Sequence, residues 1–110
     1  VQLDKFIFAV VDDLKLELPV DVKLSTREKK IAAVYEPRFK GESLKSHKIV
    51  VYMGGEHDRD LFTLIAHELI HAYQCENNLT DVHGKSFRLM ARYLDLIYEL
   101  PSIYIPCQDV

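Results

Sequence analysis

Only two cysteines, no apolar run of the ~20 residues needed to span a bilayer, and no excess of basic charge set the first limits on this 110-residue chain. Cys75 and Cys107 have no C-x-x-C spacing. They make neither a disulfide framework nor a zinc ribbon, and both read as reduced thiols of a cytoplasmic protein. The missing apolar run excludes a spanning helix, so no membrane partner is expected. A formal charge of −3 argues against a broad phosphate-binding face. The small basic clusters, Arg27 to Lys30 and Lys45 with Lys48, read as solvated turns. The amino-terminal segment carries Asp4, Asp12 and Asp13 without a basic stretch, unlike a signal peptide. There is no internal repeat and no low-complexity linker. Neither a Ser/His/Asp nor a Cys/His nucleophile pattern is present, and Gly54-Gly55 is too short for a phosphate loop.

What remains is an ordinary globular balance, 48% hydrophobic and 28% charged. It predicts a single domain over residues 1–110 with one hydrophobic core. Leu3, Phe6, Ile7, Val10 and Leu14 fall at helical spacing and predict a helix over Leu3–Leu18, stopped by Pro19. Val20, Val22 and Leu24 alternate with Asp21 and Lys23, as in a half-buried strand. A polar turn, Ser25–Lys30, leads to a second strand over Ile31–Phe39. Pro37 cannot donate to a ladder, so this strand belongs at an edge or breaks there. After Gly41-Glu42-Ser43, His47–Met53 forms the strongest strand, with Ile49-Val50-Val51-Tyr52 β-branched and aromatic. Gly54-Gly55 stops it.

Asp58 or Asp60 can cap the next helix, expected from about Arg59 to Glu76. It is apolar on most sides and should be central and buried. Asn77-Asn78 supplies a left-handed stop. The last helix is expected from about Lys85 to Leu100, with Phe87, Met90, Ala91, Leu94, Ile97 and Tyr98 as its core stripe and Pro101 beyond it. Helix, three strands, helix, helix is a small α+β fold.

The central helix contains His67-Glu68-Leu69-Ile70-His71, an H-E-x-x-H string. Five such letters arise by chance in about one or two chains per hundred of this length, so context has to decide. On a helix, His67 and His71 stand one turn apart on one face. Two imidazoles there can hold one Zn2+ ion, and Glu68 can act as general base toward an activated water. Hydrolytic zinc usually takes three protein ligands, so a third must come from elsewhere. The candidates are His47, His57, His83, Cys75, and the carboxylates Asp95 and Glu99. His83 is favoured, because the interval after His71 allows a helix end, a reversal and a new helix start. Gly84 beside it permits close backbone approach. Cys75 lies too far along the same helix to share the ion and reads as packing. His47 and His57 read as surface residues at a strand start and in a turn.

His67-Glu68-Leu69-Ile70-His71-Ala72-Tyr73 with His83-Gly84-Lys85-Ser86-Phe87 resembles the SprT-like zinc metallopeptidases, the Spartan-type group. That family pairs an H-E-x-x-H-A helix with a later H-G-x-x-F or H-G-x-x-W element. Ile31-Ala32-Ala33-Val34-Tyr35 resembles the family strand before the site, with Ala33 where glycine is usual. Lys48-Ile49-Val50-Val51-Tyr52 resembles its second signature strand, so the likeness covers about Ile31 to Tyr93. It implies a zincin-like domain with one zinc ion on His67, His71 and His83, and Glu68 as catalytic base.

Many members also carry a carboxy-terminal cysteine ribbon and basic DNA-binding extensions. Neither lies within these 110 residues. Cleavage of DNA-crosslinked proteins is therefore not assumed: the resemblance leaves DNA association open, with a nuclear or nucleoid location if that role applies, but the charge does not support it. The leading expectation is a zinc endopeptidase acting on protein or peptide substrates, with the oxyanion stabilised by one of Tyr35, Tyr52, Tyr73, Arg88 or Tyr93. The alternative is a catalytically silent, zinc-stabilised protein-interaction module.

Overall fold

The computed structural model describes residues 2–55, 60–100 and 103. The elements in chain order are α1 (Gln2–Asp13), β1 (Val20–Ser25), β2 (Ala33–Lys40), β3 (Ser43–Tyr52), α2 (Leu61–Glu76) and α3 (Lys85–Tyr98). This is an α+β arrangement of three helices and a three-stranded mixed sheet. His57, Asp58, Arg59, Pro101 and Cys107, each given a role from the sequence, lie outside the described residues.

The sheet order is β1-β3-β2, with β3 parallel to β1 and antiparallel to β2. β3 takes the centre because its Ile49, Val50 and Val51 are all buried and need cover. β2 and β3 form a hairpin over Gly41-Glu42, with Gly41 at φ +63° in the first loop position, where a side chain would be strained. Pro37 sits on edge strand β2 opposite His47, and the register shifts between Arg38 and Phe39. Both consequences expected of that proline are therefore present: an edge position and an irregularity close by.

Helix α2 lies at the middle of the molecule and contacts α1, α3, β2 and β3. Every residue from Thr63 to Ala72 is buried. Its Leu64, Ile65, Leu69 and Ile70 form one core with Val10 and Leu14 of α1, Ile49 and Val51 of β3, and Phe87, Ala91 and Leu94 of α3. Each such side chain contributes roughly 1.5–3 kcal/mol on burial. The start of α2 is Leu61, because Asp60 is the cap: its carboxylate accepts the Thr63 N–H at 2.8 Å.

Several expectations need correction. Strand β3 starts at Ser43, inside the expected connection and four residues before His47, because Ser43 already pairs with Lys40 across the hairpin. Helix α1 does not continue to Pro19. It stops at Asp13, because Lys15 adopts φ 56° and Leu16 N–H bonds back to the Val11 carbonyl at 3.0 Å, a Schellman closure. Helix α3 ends at Tyr98, where Glu99 takes a left-handed conformation, and not at Leu100. Leu24 and Ile97, assigned inward from periodicity, are each 45% exposed, since β1 and α3 have no neighbour over those positions among the described residues. No helix among the described residues is long and apolar enough to cross a membrane.

Candidate metal centre

Helix α2 projects His67 and His71 one turn apart, with ring centroids separated by 5.1 Å. The chain must then reverse to return a third ligand. Asn78 at φ 55° ends the helix, with Leu79 N–H bonded to the Gln74 carbonyl at 2.9 Å. The turn that follows is built on Asp81. Its carbonyl accepts Gly84 N–H at 2.7 Å, and its carboxylate accepts the N–H of Ser86 at 2.7 Å and the Ser86 hydroxyl, capping α3. These bonds, the Ser86 hydroxyl first, hold the Asp81 carboxyl below the usual range. A Cβ on Gly84 would meet the Asp81 Cβ at 2.9 Å, so glycine is what lets the turn close.

The turn places the His83 ring 5.2 Å from that of His67 and 4.9 Å from that of His71. One ligand atom from each of the three histidines lies within 4.8 Å of the others. His67 Nε2 and His83 Nε2 are 3.2 Å apart. Two nitrogens bound tetrahedrally at the ~2.0–2.1 Å typical of zinc would sit about 3.3 Å apart, so this spacing fits. Phe87 packs against all three imidazoles, at 4.7, 5.1 and 5.1 Å between centroids, and supplies an apolar floor. His67 is fully buried, His71 nearly so, and His83 is half-buried.

Tautomers are set by the bonds at the opposite ring nitrogens. His67 Nδ1 lies 2.9 Å from the Ile103 carbonyl, which can only accept, so Nδ1 carries the proton. His71 Nδ1 lies 2.9 Å from Gln74 Oε1. The Gln74 amide is oriented by its nitrogen, which donates to the Val82 carbonyl at 2.8 Å and to Ser86 Oγ at 3.0 Å. Its oxygen therefore faces His71, and His71 Nδ1 must donate. In both rings Nε2 is left as the lone-pair nitrogen, the arrangement a metal requires. Val82, next to His83, has φ 49°. A β-branched residue in that region costs on the order of 1–3 kcal/mol, and the Gln74 bond to its carbonyl helps to hold it there.

Glu68 lies between the two α2 histidines and is fully buried. Of the alternative third ligands, Cys75, Asp95, Glu99 and His47 are not part of the three-histidine group. His47 was expected at the surface and is instead fully buried. It shares one face of β3 with Ile49 and Val51, a period-two signal that pointed inward. Its Nε2 donates to Glu76 Oε2 at 2.6 Å, and its Nδ1 meets the Tyr35 hydroxyl at 2.7 Å. Glu76 also accepts the backbone N–H groups of Glu17 and Leu18 at 2.9 and 3.1 Å. Burial pushes the Glu76 carboxyl up, but these bonds and the charge on His47 outweigh it and hold the group below its ordinary value. Tyr35 is pushed up by burial and by its bond to Cys75, and stays protonated.

Of the aromatic residues named for the oxyanion, Tyr35 lines a cleft together with His71. Tyr73 and Tyr93 line a different pocket, and the Tyr52 ring lies under Lys29 at 5.5 Å. Sequence reasoning missed Gln74, although H-x-x-Q at helical spacing marks it. It also missed the Ile103 carbonyl, which carries no side-chain signal. No family model, curated protein or solved structure matches the chain.

Proposed function

We propose that this protein is a zinc-dependent endopeptidase of the SprT-like, zincin type, with His67, His71 and His83 as ligands and Glu68 as general base. The observation that carries the reading is the convergence of three imidazoles, two with Nδ1 committed elsewhere, beside a fully buried glutamate. Burying a carboxylate in the middle of a core helix costs free energy that leucine in its place would not. That cost favours a chemical role for Glu68 over a packing role. Three neutral imidazoles suit zinc among the common ions. Zinc held there would polarise a carbonyl and lower the pKa of water toward ~7.

The chain's own groups account for the rest. Glu68 accepts a proton from the attacking water and passes it to the leaving amine. Among the described residues edge strand β2 is paired on one side only, so an extended peptide can pair along its open edge beside His71. Phe87 and the surrounding core exclude water from the ligand rings. The charge of −3 favours protein substrates without a requirement for DNA.

A second reading, a zinc-braced interaction module without turnover, is favoured by the zero exposure of His67 and Glu68. One experiment separates the two. Elemental analysis and proteolysis of unfolded and DNA-bound protein substrates are run on wild type and Glu68→Gln. The peptidase reading expects both proteins to hold zinc and Glu68→Gln to lose cleavage by ~10²–10⁴-fold. Undiminished cleavage by Glu68→Gln overturns the mechanism. Full zinc occupancy with no cleavage by wild type favours the module. Absence of bound zinc, with no thermal stabilisation on adding it, removes the metal from both.

A further inference from the structure

The cleft beside His71 is built like a side-chain pocket. Tyr35 and Pro37 of β2 line one side of it, Leu79 and Val82 of the α2–α3 turn another, and His71, Gln74 and Cys75 of α2 lie between them in the chain. Its volume is about 340 Å³, and among the described residues no Asp, Glu, Lys or Arg lines it. A cavity of ~150 Å³ already accepts benzene, so this one has room for an aromatic or branched aliphatic side chain. Two of the lining residues, Leu79 and Val82, are apolar and partly exposed, at 38% and 42%.

The lining is also fixed. The Tyr35 hydroxyl bonds His47, whose other nitrogen bonds Glu76, which in turn holds the Glu17 and Leu18 backbone. The turn side is fixed by Gln74, which bonds both the Val82 carbonyl and the metal-site residue His71. The pocket is therefore preformed, the condition under which shape selects a side chain without a large ordering cost.

We infer that this cleft is the specificity pocket of the metal centre, and that it selects peptides with a large apolar residue, aromatic or branched aliphatic, flanking the bond at the metal. The inference rests on the metallopeptidase reading, because His71 is the shared element. A peptide pairing with the open edge of β2 would turn alternate side chains toward the face that carries Tyr35 and Pro37. A charged side chain would be desolvated there without a partner of opposite sign.

The test is binding of small hydroxamic acids to the zinc-loaded protein, measured by calorimetry. The compounds share one chelating group and differ only in side chain: benzyl, isobutyl, carboxymethyl or aminobutyl. Benzyl and isobutyl compounds should bind at least about tenfold more tightly than the two charged ones. Leu79→Glu, at a partly exposed turn position, should abolish that ranking while its zinc is retained. Equal binding of all four to wild type overturns the pocket and leaves the metal site standing. A ranking that survives Leu79→Glu also overturns the pocket. Binding of none while zinc is held overturns the pocket, and failure of the protein to load zinc overturns the metal site and the pocket together. The apolar ranking without any proteolysis leaves an apolar ligand cleft at the metal but overturns both the peptidase reading and the selection of a cleaved peptide.

Discussion

Gln74 shows how much one neutral side chain can decide at a metal site. It fixes the His71 tautomer through its oxygen and ties the turn carrying His83 through its nitrogen. Replacing it by leucine removes both bonds while keeping an apolar body of similar size in the core. Partners of this kind are worth 10–100-fold in metal affinity. Gln74→Leu should therefore bind zinc ~10–100-fold more weakly in competition with a chromophoric chelator. Gln74→Glu keeps an acceptor for His71 Nδ1 and should recover part of that loss. If Gln74→Leu binds zinc as wild type does, the tautomer argument fails. At this scale the three histidines were legible, because H-E-x-x-H and H-G are local strings. Gln74 lies only three residues from His71 and was within reach of helical spacing, whereas His47 and the Ile103 carbonyl act through partners 29 and 36 residues away, which local spacing does not name.

Element types were legible and element ends less so. The period-3.6 and period-2 patterns placed three helices and three strands in the right order, because each buries one face. Ends depend on single residues. Lys15, Asn78 and Glu99 all take positive φ, and only Asn78 has a side chain that favours it. The cap of α2 is of the readable kind. Asp60 accepts the Thr63 N–H at the start of the helix that carries both His67 and His71. Asp60→Ala should destabilise the protein by ~1 kcal/mol in denaturant unfolding, with an unchanged m-value. A loss of under about 0.3 kcal/mol would place the helix start elsewhere. The exposed end of β1 and the outer face of α3 departed from expectation, because periodicity reports a face and not whether anything covers it.

For the whole molecule, the contact around Glu76 joins the end of α2, the α1–β1 connection and the centre of the sheet. The same carboxyl sets a pH dependence. Its folded pKa is held below the ordinary value of 4.5, so its contribution is fully present above that value and is lost as pH falls through the folded pKa. Metal-free protein kept in chelator should lose denaturant stability as pH falls from about 5 to about 3. Glu76→Gln should be less stable at neutral pH and show a shallower acid decline. An equally steep decline in Glu76→Gln would assign the acid sensitivity to other carboxyls, Asp81 first. Tyr98, pushed up to about 12 by burial and its bond to Asp13, stays protonated throughout and adds nothing to this slope.

By itself the sequence determined the α+β order of elements, the buried central helix and the two helical histidines with the glutamate between them. Hydrophobic period and short motifs are local properties, and they survive without coordinates. The tertiary structure decided which candidate stands as the third histidine, the inward position of His47, the orientation of the imidazoles and the apolar cleft at His71. Each of these depends on residues far apart in the chain coming together: His67 bonds Ile103, His47 bonds Glu76, and Tyr35 lines one cleft with Leu79 and Val82 of the turn beyond α2. Such contacts exist only once β2, β3 and the Asp81 turn are packed around α2. Chain reversal and sheet register set those distances, and no local pattern encodes them.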